Sequence, residues 1–310
     1  MTPKLPASPP APDSSESVPA SSAGVPFCAT NLRVDEWYIK VGPSLFPFSH
    51  FTLNDLPAEA EQIRVLSKQM GCVVVEQDLS YVLKFGSAVR PCEEQAMRLV
   101  SQHTSIPIPR VVNSKMESNF GQIVMTIIPG APLDRSWMSL DEKTRLRLCR
   151  ETWTLLTQLR DIPRPPACEG LFQCMADGST SDDALLQDLD QPPHKHIYTD
   201  DGLRARLYER YLHFNGRRYK DSLPDMLPRS SESVFTHADI APRNIMVNEK
   251  HEITGILDWE LSGWYPDYWE YSQIMRHANK VTTDWAKWMD LTAPQRWDVS
   301  GINASRRVLF

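Results

Sequence analysis

A pair of short polar loops bracketing an apolar hairpin constrains this chain more than any other feature. Residues 235–247 read Phe-Thr-His-Ala-Asp-Ile-Ala-Pro-Arg-Asn-Ile-Met-Val, and residues 254–260 read Thr-Gly-Ile-Leu-Asp-Trp-Glu. The pattern is loop, short strand, turn, short strand, loop. Strands over 244–247 and 253–257, joined through 248–251, place both loops at the same edge. His237, Asp239 and Asn244 on the first loop then meet Asp258 on the second. This is the set that phosphoryl transfer requires. One carboxylate (Asp239) receives a hydroxyl proton, while an amide oxygen (Asn244) and a second carboxylate (Asp258) hold magnesium.

His-x-Asp-x-x-x-x-Asn followed by an apolar strand ending in Asp resembles the catalytic core of the protein-kinase-like superfamily. Ala238 stands where protein kinases usually carry arginine, and the metal loop is Asp258-Trp259-Glu260 rather than Asp-Phe-Gly. No Ala-Pro-Glu triplet follows. This combination resembles the aminoglycoside phosphotransferase and choline kinase family, in particular its fungal members, which are small-molecule kinases. The family pattern usually has Gly at position 238. Alanine there adds a methyl group that crowds the loop without removing a chemical group. The resemblance implies an α+β, two-lobed protein-kinase-like fold with a small antiparallel-sheet N-lobe (28–130) and a mostly helical C-lobe (131–310).

The implied fold makes demands upstream. Residues 80–86, Ser-Tyr-Val-Leu-Lys-Phe-Gly, alternate as a strand does, and Lys84 near its end resembles the superfamily lysine that grips nucleotide phosphates. Residues 92–100 follow as an amphipathic helix with Glu93, Met97 and Val100 on one face. A glutamate turned inward with apolar neighbours needs a cation, and Lys84 is the obvious one. Glu94 is the alternative partner, and both glutamates also suit the first turn of a helix. The Ile-Pro-Ile-Pro run at 106–109 is non-helical and leads into a strand. By resemblance, residues 121–130 form the interlobe hinge. Met125 would back the adenine pocket, and the backbone from Thr126 to Ile128 would meet the adenine edge. The phosphate-covering turn falls within 66–72, where Ser67 and the backbone near Gly71 stand in for an absent Gly-x-Gly-x-x-Gly.

The remaining sequence bounds the setting. At 310 residues the chain can bury one or two cores. A formal charge of −6 gives no general nucleic-acid affinity and is compatible with a cationic substrate. The six cysteines show no pairing pattern, and His194 and His196 are not at zinc-finger spacing, so reduced thiols in a cytoplasmic protein are expected. No apolar run approaches membrane-spanning length. The Pro/Ser-rich residues 1–27 read as a disordered tail, and residues 176–193 as a second mobile piece, either an exposed loop or a substrate lid. A capping box at 139–142 opens a helix to about residue 159, and a second helix covers 203–212. Trp264, Trp269, Trp285 and Trp288, with Asp267, Glu270 and Asp284, pack as helix core or else form an acidic aromatic box for an ammonium group. Glu260 is a further candidate for metal or substrate contact.

Together these residues imply a magnesium-dependent transfer of the γ-phosphate of ATP, with GTP left open, to a hydroxyl of a small molecule. Lys84, oriented by Glu93, neutralises the nontransferred phosphates, and Asp239 aims the hydroxyl. The His237 ring holds the loop backbone in place. No nucleic-acid or membrane partner is expected, and the chain would be a monomer or weak dimer. Two other readings stay open: a noncatalytic binding module that kept the fold, and a protein kinase. Asp239→Asn should abolish turnover while nucleotide binding survives. A fully active variant in a steady-state assay would show that the base has been misassigned.

Overall fold

The computed structural model describes residues 25–26, 32–42, 44–50, 60–77, 80–190, 194–276 and 278–309. The predicted disordered tail lies outside these residues except for 25–26.

Alternating apolar positions build an eight-stranded antiparallel sheet. Its strands are β1 (Val25–Pro26), β2 (Trp37–Val41), β3 (Ser44–Pro47), β4 (Glu61–Gln69), β5 (Cys72–Gln77), β6 (Tyr81–Gly86), β7 (Val111–Glu117) and β8 (Phe120–Thr126). Their order is β1-β3-β2-β4-β5-β6-β8-β7. Ile63, Val65, Val75, Leu83 and Phe85 pack with Leu32, Tyr38 and Leu45 into one apolar cluster. Each such side chain, fully buried, contributes about 1.5–3 kcal/mol. The helix α1 (Pro91–His103) lies between β6 and β7 in the chain. Its buried residues Cys92, Ala96, Met97, Leu99 and Val100 join a second, larger core with Ile123 and Met125 of β8. The helical half of the molecule is therefore packed directly under α1.

The second half is mostly helical. Its elements are β9 (Ala131–Pro132), α2 (Glu142–Leu159), β10 (Cys174–Met175), α3 (Asp200–His213), α4 (Leu223–Met226), β11 (Ser233–Thr236), β12 (Ile245–Val247), β13 (Ile253–Ile256), β14 (Gly263–Pro266), α5 (Trp269–Ile274), α6 (Lys280–Thr292) and α7 (Ser300–Arg306). Two three-stranded sheets, β10-β14-β11 and β13-β12-β9, carry the two polar loops. The expected hairpin is β12–β13, with Ile245 opposite Ile256. Asn244 falls just before it, in a 3-10 turn over Pro242–Asn244.

Two local expectations are corrected, and one open alternative is decided. Asp141, not Ser139, caps α2: its carboxylate accepts from the Thr144 N–H at 2.8 Å. Asp141 is one residue before the first helical residue, where a capping oxygen reaches the free N–H groups. Residues 176–190 are held down rather than loose, because Leu185 and Leu186 are buried and Asp183 accepts from Gln273 at 2.8 Å. The aromatic box does not form. Trp264, Trp269 and Trp285 are buried, Trp269 stacks on Tyr265 and Trp285 meets Trp137 edge-on. The Asp284 carboxylate is taken by Trp137 Nε1 (3.0 Å) and Arg145 (3.3 Å).

Gly86 ends β6 with φ +142°, and a Cβ there would lie 2.1 Å from the Gly71 carbonyl oxygen. That oxygen already accepts from the Ala88 N–H at 2.8 Å, so the turn after β4 and the turn after β6 lock together. Gly86→Ala must break this contact and is expected to lose at least ~2 kcal/mol of stability. A denaturation midpoint unchanged from the parent chain would refute this locking.

Candidate active site

Lys84 lies in the middle of β6, with Ile123 of β8 as its register partner, and its side chain is only 8% exposed. The ammonium donates to Glu93 Oε1 at 2.9 Å, Asp258 Oδ1 at 3.0 Å and Glu260 Oε2 at 2.8 Å. Burial works against its charge, but the three carboxylates outweigh burial and hold its pKa above the usual lysine range. Burial pushes the Glu93 carboxyl up to about 7 against the pull of Lys84. Glu94 plays another part, accepting from Arg98 and from Ser114 Oγ. Inward geometry thus selects Glu93, in the first turn of α1, as the lysine's helix partner.

The two polar loops are tied to each other through backbone. Leu257 N–H donates to the Asn244 carbonyl at 2.8 Å, which fixes Asp258 relative to Asn244. The Asn244 amide nitrogen donates to the Asp239 carbonyl (2.9 Å) and to Asp239 Oδ2 (3.0 Å). Arg243 also donates to Asp239 Oδ2. His237 is fully buried: its Nδ1 accepts from the Asp239 N–H (3.2 Å) and its Nε2 bonds the Leu257 carbonyl (2.9 Å). A nitrogen that accepts from an amide carries no proton, so Nε2 holds the hydrogen and donates it. Burial lowers the His237 pKa. A neutral ring with both nitrogens occupied braces the two loops, which is the holding role that the sequence suggests for His237 rather than a proton-transfer role.

A residue outside the predicted site completes this bracing. Glu270, buried in α5, accepts from the His237 N–H (2.7 Å) and the Ala238 N–H (3.3 Å) through one oxygen. Ala238 has φ +68°, a left-handed conformation that costs alanine roughly 1 kcal/mol and glycine little. Asp258 is left-handed too, at φ +66°. Glu270 sits in an aromatic run that reads as core, and only a carboxylate inside such a run hinted at its role.

A cleft of ≈590 Å³ brings together Lys84, Asn244 and Asp258, while Asp239 is not among its lining residues. Ser67, Lys84, Glu93, Met125, Thr126, Ile128, Asn244 and Asp258 all line it. Gly71 is not among the lining residues, because its turn packs on Ala88; Gln69 and Cys72 face the cleft instead. Thr126 donates its N–H to the Arg110 carbonyl (3.0 Å), so of the expected hinge only Ile127 and Ile128 can offer an N–H to a base.

A family model described as the phosphotransferase enzyme family, APH, matches residues 60–287. The chain belongs to this family. Among solved structures, the GDP complex of an aminoglycoside 2′-phosphotransferase-IIIa mutant is 13% identical, with 80% of each chain covered and a TM-score of 0.55. A gentamicin complex of APH(2″)-IIa is 14% identical over 80% of each chain, with a TM-score of 0.52. A streptomycin–ATP ternary complex of the same enzyme is 15% identical over 80% of each chain, with a TM-score of 0.50. No curated protein matches the chain. Such identities establish the kinase-like fold, and the family match makes the chain a phosphotransferase. Among the described residues, no helix of this phosphotransferase is long and apolar enough to cross a membrane.

The buried carboxylate of Glu270 has its pKa pushed up to about 7, chiefly by burial, with the two backbone N–H groups opposing. Its folded-state pKa is thus above the ordinary 4.5. The folded chain binds this proton more tightly than the unfolded chain does. Glu270's contribution to stability is full below about pH 4.5 and is lost as pH rises through about 7. Glu270→Gln cannot titrate. Between about pH 5.5 and 8 its stability relative to the parent should improve by ~2 kcal/mol, a shift of several degrees in relative Tm. Parallel pH curves for the two proteins would contradict this placement of the proton.

Proposed function

We propose that this phosphotransferase moves the γ-phosphoryl group of ATP to a hydroxyl of a small molecule, with GTP as a second possible donor. The observation that carries this reading is the contact of the Lys84 ammonium with Glu93, Asp258 and Glu260 at the floor of a nucleotide-sized cleft. A cation held among three carboxylates is charged and aimed before any ligand arrives. Triphosphate oxygens would take over the bonds that Asp258 and Glu260, 29% and 40% exposed, now make. Glu93, fully enclosed, would keep its own bond and so keep the lysine in place.

The residues present fit magnesium. Among the described residues no group of three His, Cys, Asp or Glu side chains is arranged to hold a metal. Magnesium in phosphoryl transfer needs only one or two carboxylates beside the substrate phosphates, and oxygen donors suit it. The Asn244 nitrogen is committed to Asp239, which leaves its oxygen for a cation, and Asp258 supplies the carboxylate. Asn244 and Asp258 would hold magnesium, which would supply positive charge to neutralise the phosphates. Asp239 would orient the acceptor hydroxyl and take its proton as the new O–P bond forms and the bond from the γ-phosphorus to the β-phosphate oxygen breaks, releasing ADP. The small-molecule acceptor follows from the family and from the absence of an Ala-Pro-Glu segment in the sequence.

Thermal unfolding tests the reading without an identified acceptor. Saturating ATP–magnesium, at about a hundred times its Kd, adds ~2.7 kcal/mol and should raise Tm by several degrees. Asp258→Ala should lose the magnesium-dependent part. No shift at millimolar nucleotide would overturn the phosphotransferase assignment of the cleft in favour of a noncatalytic binding module.

A further inference from the structure

Arg243 stands at the junction of two hollows. It lines the ≈590 Å³ cleft, and it also lines a second hollow of ≈270 Å³ bounded by Asp134, Pro242, Asn279, Lys280 and Thr282. Neither Lys84 nor Asp258 lines the second hollow. It borders the catalytic loop through Ala241, Pro242 and Arg243, whose guanidinium donates to Asp239 Oδ2. Asp239 lines neither hollow, but Arg243, which bonds its Oδ2, lines both.

Two cations, Arg243 and Lys280, line that side with Asp134, and Arg243 is itself paired with Asp239. Arg243 is 51% exposed and Lys280 is exposed. Arg135, also exposed, faces the adjoining cleft. Among the described residues, neither Lys280 nor Arg135 makes an ion pair. Asp134 is the one carboxylate lining the second hollow. Asp284, on the same helix as Lys280, is spent on Trp137 and Arg145. The chain's net charge of −6 therefore says nothing about this surface.

From this we propose that the acceptor carries an anionic group, a carboxylate or a phosphate, beside its reactive hydroxyl, and that Arg243 and Lys280 bind that group. The proposal rests on the phosphotransferase reading above. Arg243 now bonds the same Asp239 oxygen that Asn244 bonds, and a reacting hydroxyl needs access to that carboxylate. An acceptor anion would draw the guanidinium off Asp239 in a charge-assisted, two-point bond and free the base as it docks. A polycation would instead meet Arg243 and Lys280 head-on, and like charges facing each other select against it.

The test is ADP release and label transfer from γ-labelled ATP–magnesium by the full chain. Acceptors are a panel of hydroxy acids and hydroxylated phosphomonoesters, from glycerate and glycerol 3-phosphate to sugar acids and sugar phosphates. Matched panels of neutral polyols and of aminocyclitol polycations run beside it, with an acceptor-free control. We expect at least one anion to take the label and raise ADP release about tenfold or more over the control, a gain of ~1.4 kcal/mol. The carboxylate and phosphate arms tell which anion is read. Transfer confined to neutral or cationic acceptors overturns the proposal, and so does transfer to none while the acceptor-free rate persists. Loss of both nucleotide binding and ADP release in every arm instead sinks the phosphotransferase reading and takes this proposal with it. Lys280→Glu should raise the KM for the anionic acceptor about tenfold and that for ATP less than about twofold, with Lys280→Arg restoring it. An unchanged acceptor KM removes Lys280 from the site.

Discussion

The buried ammonium of Lys84 is the constraint around which both halves of this protein are organised. It comes from the sheet, and its three carboxylate partners come from α1 and from the loop after β13. Removing a partner from a buried pair of this kind costs roughly 3–5 kcal/mol, because the remaining charge is stranded. The enclosed Glu93 bond falls in that class. The bonds to Asp258 and Glu260 are partly open to water and weaker for it. The difference matters: the enclosed bond holds the lysine, and the weaker ones lie on the side open to the cleft.

A second layer of order is made almost entirely from backbone. His237 links Asp239 to Leu257, Leu257 links back to Asn244, and Glu270 holds the two N–H groups that precede Asp239. Ser262 Oγ donates to the His237 carbonyl at 3.2 Å, and Trp259 packs edge-on against the His237 ring. Two residues, Ala238 and Asp258, are kept left-handed within this frame. Such backbone conformations persist only when the surroundings over-determine them, and here the surroundings are a buried imidazole and a buried carboxylate.

The charges divide by task. The acids converge on Lys84, whereas Arg243 and Lys280 line a separate hollow. Tryptophans that read as a possible ammonium box are instead packed as core, and Glu270 and Asp284 near them are bonded to neighbours. The local balance of charge, rather than the total, describes what each surface can receive.

The motif residues were legible in the sequence because their spacing is local. Asp239, Asn244 and Asp258 sit on loops joined by a short hairpin, and a hairpin brings its flanks together whatever the rest of the chain does. Lys84 and Glu93 were legible as a strand followed by an amphipathic helix, whose periodicity turned one glutamate inward. What the sequence could not contain was contact between distant segments. Glu270 lies 33 positions after His237 and looked like a helix residue in an aromatic run. Gly71 looked like a phosphate loop, yet its turn is closed against Gly86 and Ala88. The junction of Arg243, Lys280 and Asp134 draws on three separated segments. Local spacing determined the chemistry of the catalytic loops, because a hairpin and a helix face are short-range geometry. Tertiary packing alone decided which backbone groups are braced and which charges line the second hollow, because those depend on what burial leaves next to what.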